Sequence, residues 1–469
     1  MNKFVSAARR QKVEARTQNN MKALASTTDA CVDLFFHIGA SRGKDILPLF
    51  SKAYAESPEY AVRTALWVRD VRGGAGERQL FRDILLFLEK HEPHILLNTN
   101  LLERVPELGR WDDLLVLETP AVRAKVNKLI AKALVQKNGL CAKWMPRKGA
   151  LAARLRADLG WTPKFYRKTL VNLTNVVETQ MCSKNWEAIN FEHVPSLAMA
   201  RYAKAFGRNA LEHYLAYKQK LQTGEAKINA SAVYPYNVIQ TLRAGDDVLA
   251  DEMWKALPNY MDDQNVLPIV DVSGSMCCPA GGNPNVQCID VSVSLGLYCA
   301  DKNKGAFKDT FVTFSGSPEL LHLKGKLSTK LNQMESSDWG MNTDLHAAMD
   351  LILAHAIKNK VPQKDMPTAL LIMSDMQFDE CSEWDDSAYE MISRKFKESN
   401  YTMPAIVFWN LNSHSNVPVD FKKKGVALVS GFSPAIMSSV LAADFSKMNP
   451  ESIMLQTIMN DRYSFSEEV

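Results

Sequence analysis

Apolar residues recur every three or four positions across the first half of the chain, a spacing that predicts amphipathic helices. Cys31–Ile38, Ile46–Tyr54 and Ala61–Arg69 carry the pattern first. It continues through Leu80–Lys90, Leu101–Val105, Asp112–Leu117, Val122–Gln136, Gly149–Asp158, Pro163–Val177, Pro195–Phe206 and Leu211–Thr223, with Pro, Gly or Asn punctuating the gaps. No strict repeat period emerges, yet helical hairpins in succession predict a curved α-solenoid of HEAT-like repeats. At Val266 the rhythm changes. Val266–Val272, Thr310–Phe314, Ala369–Ser374, Ala405–Trp409 and Val426–Val429 read as short buried strands. Ile289–Ala300, Asp344–Lys358, Ser387–Glu398 and Pro434–Ala443 read as the helices between and after them. Alternation of this kind implies parallel strands with helices on both faces, a doubly wound α/β unit. The expected division is a basic arm over 1–25, a helical domain over 26–250 and an α/β domain over 262–469, with the linker inside Ala244–Gln264.

Two of the strands run into a carboxylate. Asp271 ends Val266–Asp271 and is followed by Ser273 and Ser275 at alternate positions, and Asp375 follows Ala369–Ser374. In open α/β sheets ligands bind just beyond the carboxyl ends of the strands. Carboxylates and hydroxyls gathered there are hard oxygen donors, suited to Mg²⁺ or Mn²⁺. Thr343, within Trp339–Asp344, offers one more hydroxyl. By itself Asp-x-Ser-x-Ser is also an ordinary turn, since both residue types favour turns. The three stretches in this order resemble the von Willebrand A fold with its metal-ion-dependent adhesion site. That resemblance implies Asp271, Ser273, Ser275, Thr343 and Asp375 as ligands of Mg²⁺ or Mn²⁺, some through water, with a protein partner donating a carboxylate to the ion. Two features depart from the family: Met376 stands where Gly often follows the last Asp, and the Gly/Pro-rich Cys277–Asn285 delays the next helix.

Composition narrows the class. The chain has 469 residues, 46% hydrophobic and 23% charged, so it can bury substantial cores and is not a disordered polymer. Its polar, basic start lacks an apolar signal-peptide core, and no apolar run approaches the ~20 residues of a membrane span. A cytoplasmic protein with no membrane partner is expected. Its eight cysteines are scattered and form no C-x-x-C pair, which argues against a disulfide framework or zinc site and for free thiols. The net charge of +4 conceals an asymmetry: residues 1–250 carry 38 Lys+Arg against 24 Asp+Glu, leaving 18 against 28 for the rest. Residues 121–168 hold 13 basic residues and one acid, Asp158. Ordinary soluble surfaces mix the two signs, so this bias points to a polyanion. Lys143, Arg147, Lys148, Arg154, Arg156, Lys164, Arg167 and Lys168 are the candidate contacts to it.

Several bland readings stand beside the functional ones. The glycines of Arg69–Arg82 lack both a preceding strand and a following Gly-Lys-Ser/Thr, so a helix–helix corner fits better than a phosphate loop. Trp144, Trp161, Phe165 and Tyr166 could stack on bases, but at helical spacing they read first as core. His193 and His213 read as structural or surface residues. No nucleophile, base and orienting group assemble in the sequence, and a non-enzyme is expected.

Helical hairpins followed by a von Willebrand A domain resemble the TROVE family of Ro-like RNA-binding proteins. The phrases Arg69–Arg78, Gly109–Leu115, Ser374–Asp379 and Val407–Leu411 are similar to a microbial and viral branch of it, and the resemblance spans nearly the whole chain from Thr28. It implies a ring of helical repeats that admits single-stranded RNA ends and carries small structured RNA on a basic outer face. Gly160–Lys168 is similar to the family helix that contacts structured RNA, with Lys164 and Lys168 in its two basic places and Arg167 one residue off that face. Pro163 replaces a family His, Lys168 replaces an Arg, and the family's later His-x-Lys-Pro is absent. Lysine keeps the charge but loses the bidentate fork. Two functions follow as expectations. One is an RNA-binding protein with a regulatory metal-site domain. The other is a metal-dependent protein-interaction module with no physiological RNA.

Overall fold

The computed structural model describes residues 14–174, 176–230, 232–261, 265–280, 286–314, 317–337, 342–380, 385–445 and 447–466. Residues 1–13 of the expected arm, 339–341 beside Thr343, 281–285 of the Gly/Pro-rich stretch and the last residues of the expected linker lie outside them. The chain is mixed α/β, with a helical N-terminal region and a C-terminal sheet of mostly parallel strands.

The described part of the arm is neither a helix nor free. Glu14–Arg16 (β1) and Lys22–Leu24 (β2) form a small antiparallel hairpin, and Leu24 pairs with Val417 of the C-terminal half. The helices then follow much as the periodicity indicates. Ala30–Ile38 (α1), Leu47–Glu56 (α2), Pro58–Arg69 (α3) and Gln79–His91 (α4) build the first hairpins. Local chemistry sets their ends. Asp29 accepts from the Val32 amide at 2.8 Å, and Ser57 caps a helix whose first residue is Pro58, the position where a missing N–H costs nothing. The Arg69–Arg82 stretch is indeed a corner. Arg69 Nε and Arg82 Nε converge on the two oxygens of buried Asp113, at 2.7 and 2.8 Å. The Arg-rich phrase and the Gly-Arg-Trp-Asp-Asp phrase therefore exist to hold each other.

The expected linker contains an ordered helix, Asp247–Ala256, packed with Pro235–Arg243 against the C-terminal half. Arg243 pairs with Asp290 and Glu335, and Trp254 Nε1 donates to Asp301 at 2.8 Å. Asp246 is the N-cap of that helix, accepting from the Leu249 amide.

The sheet contains Val266–Asp271 (β3), Thr310–Phe314 (β4), Glu319–His322 (β5), Ala369–Ser374 (β6), Ala405–Asn410 (β7) and Val426–Ser430 (β8), in the order β5-β4-β3-β6-β7-β8. All neighbours are parallel except edge strand β5. That strand, the helix Leu327–Glu335 and the helix Pro450–Ile458 were not anticipated, being short or weakly periodic. Strands alternate strictly between two cores. Val270, Leu371, Met373, Val407, Trp409 and Val429 face the core that runs on into the helical region, and Ile269, Leu370, Ile372, Phe408 and Leu428 face Leu345–Lys358 and Ala388–Glu398. With both faces covered, β3, β6, β7 and β8 are buried along their whole length, while the period of two decides which core each side chain joins.

The two halves interlock. Helix α1 abuts the end of β8 so closely that a Cβ on Gly39 would lie 2.6 Å from the Ser430 carbonyl oxygen. The C-terminal segment crosses back: Arg462 and the Tyr463 hydroxyl donate to the fully buried Asp70, and the Asn100 amide donates to Ser466 O at 3.0 Å.

Candidate metal centre and basic face

The sheet order fixes where a site can be. From β3 the chain moves outward to β4, then returns to β6 on the other side, so strand order reverses between β3 and β6. At such a switch the connections leave in opposite directions and open a crevice at the carboxyl ends. Asp271 ends β3 and Asp375 follows β6, in adjacent parallel strands. Both are buried, as are Ser273 and Thr343, whereas Ser275 is exposed. The Ser273 amide donates to Asp271 Oδ1 at 2.9 Å, and the Ser273 and Ser275 hydroxyls are 3.1 Å apart. Thr343 is tied to the loop after Asp375: its amide donates to Asp379 Oδ2 at 3.1 Å, and the Asp379 amide returns a bond to Thr343 O at 3.0 Å.

Among the described residues no arginine or lysine pairs with Asp271 or Asp375, and two neighbouring buried carboxylates left so are costly. Burial, and then the charge of Asp375, pushes Asp271 up to about 7. A bound divalent cation would supply the missing positive charge. Among the described residues no three His, Cys, Asp or Glu cluster as a metal site, so a cation here would rest on the Asp271 and Asp375 carboxylates with hydroxyl donors. Hard-oxygen donors fit Mg²⁺ or Mn²⁺ better than zinc.

The sequence missed the residues that hold these donors. Ser374 donates to Asp271 Oδ2 at 2.5 Å, bridging the two strands. Gln377 donates from its amide to Asp375 Oδ1 at 3.1 Å and from its side chain to Asn416 at 2.7 Å. His414 Nε2 lies 3.7 Å from Asp375 Oδ2. Gln18, on the N-terminal hairpin, donates its backbone N–H to Gln377 Oε1 at 2.7 Å, so the arm straps the loop that follows β6. Only Ser374 had a sequence signal, as the last residue of its strand. Met376 takes a left-handed φ of 63°, a conformation in which Gly would carry no Cβ penalty.

The basic candidates separate by surroundings. Lys164, Arg167 and Lys168 are all exposed on Pro163–Leu173, while Tyr166 and Leu170 form its buried side. Positions i, i+3 and i+4 share a helix face, so Arg167 belongs to this face and not beside it. Among the described residues none of the three has a carboxylate within ion-pair reach. Thr162 caps this helix and Pro163 is its first residue, so the proline supports the helix instead of disrupting it. Arg147 and Lys148 are exposed, Arg147 donating to Thr174 at 2.8 Å. Lys143, Arg154 and Arg156 are half-buried, and Arg154 is paired with Glu118 at 3.0 Å. Of the aromatics, Tyr166 is core, bonded to Pro146 O, and Trp144 lies half-buried under the Arg110 guanidinium. Phe165 is 54% exposed, edge-on to Trp161, and is the aromatic of this group open to stacking. His213 packs on Phe191, and His193 ends the short turn Phe191–His193.

Among the described residues no helix is long and apolar enough to cross a membrane. Compared with solved structures, the chain is similar to the Ro (RSR) protein of Deinococcus radiodurans, at a TM-score of 0.41 and 13% identity over 92% of this chain and 94% of that one. It is 30% identical, over 94% of its length and 86% of the other's, to an uncharacterized protein of Acanthamoeba polyphaga mimivirus. Residues 265–464, the α/β half, match a domain of unknown function, DUF7788. Residues 17–138 and 124–266, spanning the hairpin and the helical region, match a second domain of unknown function, DUF2828, and the chain belongs to that family.

Proposed function

We propose that the protein binds RNA without catalysing a reaction, through phosphate contacts on its helical half, and that its C-terminal half is a von Willebrand A-like domain holding Mg²⁺ or Mn²⁺ for regulation or partner binding. The observation that carries the reading is the face of Lys164, Arg167 and Lys168, exposed and, among the described residues, without carboxylate partners, beside an exposed Phe165. Solvated helix faces ordinarily interleave acids, whereas this one offers three cations and an aromatic plane, the combination suited to single-stranded nucleic acid. Small structured RNA and single-stranded ends are the substrates this reading favours. For the metal, support comes from the buried Asp271–Asp375 pair and the hydroxyls of Ser273, Ser275 and Thr343. Ser275, being exposed, lies where a partner's carboxylate would approach.

One variant tests both parts. Asp271→Ala should abolish the heat of Mn²⁺ binding in calorimetry, because no neighbouring carboxylate occupies the end of β3. The same variant should bind a labelled single-stranded RNA within about twofold of wild type, since the basic face belongs to the other half. Unchanged Mn²⁺ affinity refutes the metal site. Absence of RNA binding by the wild-type protein at low salt, with no nucleic acid in its 260/280 nm ratio after purification, refutes the RNA reading and leaves the interaction module.

A further inference from the structure

The cysteines lack a C-x-x-C spacing, but the fold brings two of them together. After Ser275 the chain makes a short turn, Gly274–Cys277, and then closes a loop whose neck is hydrogen-bonded. Pro279 bridges Gln287, the Ala280 amide donates to Val286 O at 2.7 Å, and the Cys288 amide donates to Cys278 O at 3.0 Å. This cross-chain pairing sets Cys278 Sγ 3.5 Å from Cys288 Sγ, at thiol contact distance. A disulfide needs Cβ atoms about 3.5–4.5 Å apart and an S–S length near 2.05 Å, a closure that side-chain rotation on a fixed neck supplies. The two thiols differ in access: Cys278 is half-buried and Cys288 buried. Asn412 Nδ2 lies 3.4 Å from Cys278 Sγ and is held by Lys44, which donates to Asn412 Oδ1 at 2.7 Å. An amide donor on the accessible sulfur, with the Lys44 ammonium behind that amide, favours its thiolate, the attacking form. Cys31, Cys141 and Cys299 are buried with no such neighbour among the described residues, and Cys182 and Cys277 are exposed.

We propose that Cys278 and Cys288 are a modification site, a dithiol that oxidises to an intrachain disulfide by exchange with a low-molecular-weight disulfide such as oxidised glutathione. The Cys278 thiolate attacks one sulfur of the reagent, forming a mixed disulfide and expelling one thiolate. Cys288, losing its proton, then attacks the Cys278 sulfur and expels the second. Two protein thiols lose two electrons and two protons in all, and the reagent disulfide becomes two thiols. The bond joins the turn carrying Ser273 and Ser275 to the start of the helix Cys288–Lys302, so it lies at the edge of the proposed metal site. The site itself rests on the sulfur geometry and not on the metal reading.

The test uses the full chain carrying Cys277→Ser, which removes ambiguity from the adjacent exposed thiol. Oxidised glutathione is added under native conditions, followed by alkylation and non-reducing peptide mapping. The expected result is a linkage between Cys278 and Cys288, reversed by dithiothreitol. Adding Cys288→Ser should trap a stable glutathione adduct on Cys278, which also reports reactivity if the bridge is too transient to map. Both cysteines remaining alkylatable, or adducts confined to Cys182, would overturn the proposal. Mn²⁺ titration of the two redox forms separates the readings: a bridge in a protein that binds no Mn²⁺ sinks the metal site alone, and Mn²⁺ binding without a bridge sinks this proposal alone.

Discussion

Replacing Lys164, Arg167 and Lys168 together by Ala should leave the fold intact and change the salt dependence of RNA binding by a calculable amount. All three project from the exposed side of a helix whose buried side, Tyr166 and Leu170, is untouched. Five candidates are exposed: Arg147, Lys148 and these three. Each phosphate neutralised on a single strand adds about −0.7 to the slope of log affinity against log salt, so five contacts give about −3.5. The triple variant keeps two contacts and a slope of about −1.4. Between 50 and 200 mM salt, wild type should lose roughly 130-fold in affinity and the variant only about sevenfold. Fluorescence anisotropy with a labelled single-stranded RNA at four or five salt concentrations measures both slopes, and circular dichroism checks the fold. Sequence dependence should be slight, because phosphate contacts and stacking carry no base code. A variant that retains the wild-type slope would show that these cations do not touch the backbone, and the assignment of this face would fall.

Two further outcomes follow from the way the halves meet. His37 is buried at their junction, its Nδ1 2.7 Å from Ser413 Oγ, and burial, then the charge of Lys44, lowers it from 6.5 to about 4. A depressed folded value means stability is whole above about 6.5 and is lost as pH falls towards 4, about 3 kcal/mol in all. Urea midpoints across this range should fall more steeply for wild type than for His37→Gln, and equal slopes would refute the assignment. A protease site engineered within 262–264 should yield two fragments that still co-elute in size-exclusion chromatography, because Arg462 and Tyr463 grip Asp70 while the N-terminal hairpin grips Gln377 and Asp379. Separation of the fragments without denaturant would show that these crossings contribute little.

The sequence by itself determined what depends on short-range periodicity and strand-end chemistry. Five of the six sheet strands, the run of helices, the carboxylates at Asp271 and Asp375 and the basic character of 121–168 were all legible, because period and composition are local. Tertiary structure decided what depends on distant segments meeting. Strand order brings Asp375 beside Asp271, although 104 residues separate them. The pairing of Asp113 with Arg69 and Arg82, the strap of Gln18 over Gln377 and the hold of Arg462 on Asp70 join segments whose local patterns do not point to one another. The two thiols at 3.5 Å are of the same kind: a ten-residue spacing says nothing until a hydrogen-bonded neck turns it into a contact. The expected linker became a helix for a related reason, since its apolar residues gain their stabilisation by packing on Leu211–Thr223, Pro235–Arg243 and Leu327–Glu335.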